Sequence, residues 1–207
     1  MIRFPFLALL LVGCCYFQSC KMSSDPPPYE LAAFTEEGMN VVIEIPAGTN
    51  RKVEYNIENK QFEVDVLDGK KRIIDFLPYP GNYGFIPSTM MDKERGGDGD
   101  ALDILVLGES QETGTVMKVK PIAMLELLDG GEIDTKIIGV PVDSSLQVMK
   151  IEKFEDLLIK YNGVYRIIET WFLNYKGLGE MELVSWKNEA AALAEIRKWA
   201  KRPKVEG

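Results

Sequence analysis

The chain contains no histidine, and its three cysteines, Cys14, Cys15 and Cys20, all fall within the first twenty of its 207 residues. The body of the protein therefore forms no internal disulfide, and it lacks the nitrogen and sulfur ligands that zinc selects. Cationic residues are also in the minority. Lys and Arg number 24 against 32 Asp and Glu, giving a net charge of −8 and a sequence pI near 4.8. That balance excludes a nucleic-acid surface, which needs clustered Lys and Arg against phosphate, whereas an anionic substrate is compatible if a metal supplies positive charge. Long apolar runs are missing too. The only one, from Phe4 to about Phe17, is shorter than the roughly 20 residues that a bilayer span requires.

With one Arg ahead of it and polar KMSSD behind it, this run reads as an export signal. LVGC at 11–14 and FQSC at 17–20 both resemble the lipobox of bacterial lipoproteins, in which the cysteine is lipidated and becomes the mature N-terminus. Cys20 is the preferred site. Cleavage at Cys14 would leave a very short signal with apolar Cys-Tyr-Phe behind it. The expectation is a protein exported and held by lipid on a bacterial membrane, on its periplasmic or outer-membrane side, with residues 1–20 as signal, 21–40 as a proline-stiffened tether and 41–207 as one folded domain.

Within that domain VVIEIP, KVEYNI, QFEVDVL and KRIIDFL read as consecutive strands, and DILVLG, TVMKVKPIAMLELL and KIIGVPV supply more. LPYPGNYGFIP, between the two groups, carries too many breakers for a helix or a central strand. Val164, Ile167, Ile168, Trp171, Phe172 and Tyr175 follow the spacing of one buried helix face, with Trp171 and Phe172 read as core. A last helix starts at an Asn188 cap, with Leu193, Ile196 and Ala200 on one side. The fold expected is mainly β (α+β), a small β-barrel with helices outside it at the C-terminal end.

GGDGDALDILVLG places Asp98, Asp100 and Asp103 on a loop that runs straight into an apolar strand. Two unit charges about 4 Å apart repel by roughly 4 kcal/mol at an effective dielectric of about 20. Such a cluster must protonate, splay apart or bind a cation, and an all-oxygen set favours hard ions such as Mg²⁺. A calcium loop of the EF-hand kind fits poorly: Glu109 falls at the twelfth position, but Asp103 stands where glycine is required and a strand follows where a helix should. A merely solvated acidic turn is the plain alternative. Against it, LLDGGEIDTK puts Asp129 and Asp134 at another strand connection with Lys136 two residues beyond, so two acidic loops are expected at one barrel mouth. Glu44 and Glu54 lie on early strands, with Lys52 on the same face as Glu54.

VVIEIP, TNRKVEY, YPGNYGFIP, GDGDALDILVLG, DGGEIDTK and NYKGL, in this order over roughly residues 41 to 187, resemble the signature segments of family I soluble inorganic pyrophosphatases. The resemblance implies a five-stranded OB-like barrel and hydrolysis of diphosphate to two orthophosphates by a metal-activated water, with Mg²⁺ as cofactor. It implies that Asp98, Asp103 and Asp134 hold the principal ions, that Asp129 joins with further metal, that Glu44 and Glu54 shape the outer part of the site, and that Asp100 is the general base. Lys52, Tyr83, Lys136, Tyr175 and Lys176 match groups that contact phosphate. Arg72 does so as well, with Lys71 competing for that match; Arg72 is preferred because a guanidinium binds phosphate through two parallel hydrogen bonds. Ala101 stands where the family often has proline. Relatives are usually cytoplasmic and, in bacteria, often hexameric, so a homo-oligomer is implied as well. The rival reading from another class is a non-catalytic surface protein that binds divalent ions or phosphorylated ligands on the same barrel.

Overall fold

The structure is a computed structural model and describes residues 26–201. The expected signal peptide and Cys20 lipidation site lie outside the described residues, and among the described residues no helix is long and apolar enough to cross a membrane. A 3₁₀ turn at Pro28–Glu30 leads into β1 (Phe34–Thr35), β2 (Gly38–Ile45), the hairpin of β3 (Val53–Asn56) and β4 (Gln61–Val64), and the short β5 (Val66–Leu67) and β6 (Lys70–Lys71). Then come β7 (Asn82–Phe85), β8 (Asp103–Val106), β9 (Val116–Asp129), β10 (Glu132–Pro141), α1 (Phe154–Ile159), α2 (Asn162–Asn174), β11 (Met181–Asn188) and α3 (Glu189–Trp199).

The main sheet has the order β1-β2-β7-β8-β10-β9-β11, and a further pairing of β2 with β9 returns the sheet on itself. Five strands, β2, β7, β8, β10 and β9, thus form a closed ring, which removes their edges. Only β8 and β10 run parallel within it. The walls are buried on both sides. On β8, Ile104 and Val106 join the cluster that holds Ile196 and Trp199 of α3, while Leu105 joins the one that holds Ile168, Trp171 and Phe172 of α2. This period of two explains why DILVLG reads as a continuous apolar run.

Several expectations need correction. Asn82–Phe85, within the breaker-rich segment expected to exclude a central strand, is a buried central strand between β2 and β8. Gly84 is the reason: a Cβ there would stand 1.9 Å from the Val42 carbonyl oxygen, so only glycine lets the two backbones approach. KRIIDFL is no regular strand; past the two residues of β6 it follows an irregular path stitched by Arg72 N–H to Asp65 O and Ile74 N–H to Asn50 O, both 2.8 Å. Ile167 points to solvent, 58 % exposed. On α3 the buried side chains are Ala192, Ile196 and Trp199 rather than Leu193 and Ala200. The Asn188 cap is present, accepting the Ala191 N–H at 3.1 Å. Helix α1 and strand β11 were not expected. Ordered packing also begins before Val41: β1 pairs with β2, and the Ser88 N–H donates to the Tyr29 carbonyl at 3.1 Å.

Candidate active site

One end of the ring carries a cavity of about 250 Å³ whose wall includes all five of the aspartates at 98, 100, 103, 129 and 134. Lys52, Arg72, Tyr83, Lys136, Tyr175 and Lys176 line it as well. Parallel register sets the centre of this arrangement. Asp103 opposes Lys136 across β8 and β10, and the Lys136 ammonium, buried, pairs with Asp103 at 2.5 Å and Asp134 at 2.7 Å. Burial alone would lower its proton affinity, but Asp103, Tyr83 and Asp134 together drive it well above the ordinary lysine range. It is a fixed positive charge.

The other cations are also held by carboxylates. Lys176 pairs with Asp129, and Lys52 with Glu54. Asp65, which nothing in the sequence singled out, accepts from Arg72 Nη1 at 2.7 Å and sits 3.5 Å from Lys52 Nζ. Burial opposes ionisation of Asp65, yet the bond from Arg72 and the Lys52 charge keep its carboxyl below the usual carboxylate range. Arg72 therefore faces the cavity, whereas Lys71 lies exposed on β6.

In the acidic loop, Asp98 Oδ1 accepts the Asp100 N–H at 2.9 Å. Burial first, then the neighbouring Asp98 and Asp103 charges, raise the proton affinity of Asp100 above that of an ordinary aspartate. Glu44 and Glu54 line an adjoining cavity of about 210 Å³ that shares Lys52, Tyr83, Asp98, Asp100 and Asp103 with the first. Glu44 is buried, accepts the Tyr55 N–H at 2.8 Å, and is pushed up to about 8 by that burial. Tyr175 is pushed up to about 12, mainly by burial, and Tyr83 is raised for the same reason. Both phenols stay protonated and can donate.

Among the described residues no three carboxylates form a preformed metal cage. Mg²⁺ does not require one, because it keeps several waters and takes one or two carboxylates at a time. Five aspartates on one wall, with no nitrogen or sulfur donors among them, fit such a hard ion.

The sequence profile of the family described as inorganic pyrophosphatase matches residues 41–204. The chain belongs to the inorganic pyrophosphatase family. The inorganic pyrophosphatase of Synechocystis is 33 % identical over 171 residues, 80 % of this chain and 92 % of the relative. That of Saccharolobus solfataricus is 36 % identical over 173 residues, covering 80 % and 92 %. Among solved structures, the inorganic pyrophosphatase of Thermus thermophilus superposes with a TM-score of 0.70 at 31 % identity, over 83 % of this chain and 95 % of that one.

Against this pyrophosphatase background, the structure brings the acidic and cationic residues singled out above to one end of the barrel and divides them between the two adjoining cavities. It also adds side chains that sequence reasoning missed. Tyr79 and Glu132 line the first cavity and Tyr29 the second. Trp171, assigned to the core, is buried but also reaches the cavity wall, where it stacks on Tyr175 at 4.7 Å and 6° and donates to Leu77 O at 2.9 Å. The helical spacing of Trp171 and Tyr175 was the available signal.

Proposed function

We propose that this chain hydrolyses diphosphate to two orthophosphates with Mg²⁺ as its cofactor. The supporting observation is a single cavity in which five aspartates face a ring of Lys, Arg and Tyr donors. Asp98, Asp103 and Asp134 would hold the principal ions and Asp129 a further one, with Glu44 and Glu54 shaping the adjoining space. Bound divalent ions would neutralise the polyanion and lower the pKa of the attacking water. Asp100 takes the proton from that water; its raised proton affinity suits a base better than a carboxylate locked in an ion pair. Lys52, Arg72, Lys136 and Lys176 receive phosphoryl oxygens, and the protonated Tyr83 and Tyr175 donate hydrogen bonds to the leaving phosphate. Substrate and ions would therefore replace the carboxylate partners that these lysines now have.

The test is phosphate release from diphosphate by the purified chain with Mg²⁺ and with a chelator. Release that depends on Mg²⁺, and that falls about 100-fold or more in Asp100→Asn while the melting temperature holds, is the expected outcome. Divalent-ion binding without turnover would instead place the chain among non-catalytic binders. We also propose that residues 1–20 are a signal ending in a lipidated Cys20, that the exported enzyme scavenges phosphate at a bacterial membrane, that residues 41–207 form the catalytic domain, and that it assembles as a homo-oligomer, a hexamer by resemblance. The lipobox-like FQSC and the polar, proline-rich stretch after it support the anchor.

A further inference from the structure

The acidic loop is built on loose chain. Gly96, Gly97 and Gly99 precede or separate its aspartates, and glycine gives the backbone more freedom to lose than any other residue. Its own bonds to the preceding segment, Gly99 N–H to Met91 O at 2.7 Å and Met91 N–H to Asp100 O at 2.8 Å, pin one side of it. The other side leans on an aromatic cluster in which Ala101 and Phe85 are buried with Tyr55, and onto which Tyr29 packs. The Tyr29 ring lies 5.2 Å from that of Phe85 and 6.5 Å from that of Tyr55, the latter nearly parallel at 14°. Its backbone carbonyl is fastened by the Ser88 N–H. Its side chain reaches the wall of the cavity that also holds Glu44, Asp98, Asp100 and Asp103.

Tyr29 precedes residues 41–204, the part of the chain that matches the family. We propose that Tyr29 is a positioning residue of the active site: its ring braces the Ala101 end of the acidic loop, and its hydroxyl, on the residue that shares a cavity wall with Asp98, Asp100 and Asp103, helps keep those carboxylates in working geometry. The segment before the matched domain is thereby part of the enzyme's machinery and not only a leash. The electrostatics of the phenol agree with this placement. Burial and then the Asp100 charge push it up to about 12, with Glu44 and Asp98 adding and the Ala101 backbone amide opposing. The hydroxyl keeps its proton and remains a donor across the working pH range. Loss of such a brace leaves substrate contacts in place but lets the reacting groups wander, and misplacement of this kind is read in turnover before binding.

This inference rests on the diphosphatase reading, and the experiment separates the two. Wild type, Tyr29→Phe and Tyr29→Ala are compared, as full chains, for melting temperature, for Mn²⁺ affinity by calorimetry, and for kcat and KM with diphosphate and Mg²⁺. Tyr29→Phe keeps the ring and is expected to match wild type in melting temperature and KM while kcat falls roughly tenfold and Mn²⁺ affinity falls several-fold. Tyr29→Ala, which also loses the brace, should lose more kcat. Wild-type kcat and Mn²⁺ affinity in Tyr29→Phe overturn the proposal, as does a loss in either variant that merely tracks unfolding. If wild type itself releases no phosphate, the diphosphatase reading fails, and equal Mn²⁺ affinities of wild type and Tyr29→Phe would then overturn the positioning role independently.

Discussion

Lys136 is 5 % exposed, yet its charge is needed because Asp103 and Asp134 face it from two strands. Removing one partner of such a set leaves like charges close together in a poorly solvated place. Lys136→Met should therefore cost about 2 to 3 kcal/mol by urea unfolding, less than breaking a fully buried pair because both carboxylates are partly wet. Mg²⁺ should restore much of that loss, since a divalent ion supplies the missing charge; a variant whose stability ignores Mg²⁺ would contradict the shared use of these carboxylates. Lys136 was legible from its place two residues after Asp134. Asp65 was not, because a carboxylate that orients Lys52 and Arg72 through space leaves no mark in local spacing.

Among the elements, β7 and α1 show two ways in which local order is decided by a neighbour. The backbone of β7 runs so close to β2 that Gly84 cannot carry a side chain, its Cβ position being 1.9 Å from Val42 O. Gly84→Ala is expected to cost on the order of 3 kcal/mol or more, measurable as a lowered denaturation midpoint or as insoluble protein. Helix α1 depends on one carboxylate. Asp156 accepts the Glu152 and Lys153 N–H groups at 2.9 and 3.3 Å and pairs with Lys160 at 2.7 Å. The Lys160 bond first, and then the Glu152 amide, lower its pKa from 3.8 to about 2. The folded state thus binds this proton more weakly than the unfolded one, so the contribution is complete above a pH of about 4 and disappears as pH falls toward about 2. Acid unfolding of Asp156→Asn should lack that part of the slope. Strands with alternating or fully apolar runs, such as β8, β9 and β10, were legible because burial wrote their pattern directly. β7 was hidden by the glycine that its tight packing demands and by the prolines that flank it, and β11 by a mostly exposed surface, MELVSWKN, whose only fully buried residue is Met181.

At the scale of the whole molecule, the closed ring gathers residues scattered from Glu44 to Lys176 at one end, so their common function was readable as ordered motifs while their contacts were not. The proposed anchor belongs to this scale as well. Mass spectrometry of membrane fractions is expected to find a mature chain that starts at an acylated Cys20, and Cys20→Ser should release the enzyme into the soluble fraction; an unmodified Met1 in membrane-free extract would remove the basis for export. The 3₁₀ turn at Pro28–Glu30 then acquires a further meaning. The Ser88 N–H fastens it to the domain through the Tyr29 carbonyl, so the chain enters the domain beside the acidic cavity. Under the proposed acylation of Cys20, that point of entry would turn the mouth of the acidic cavity toward the lipid, and the orthophosphate leaving it would be delivered into a thin layer there.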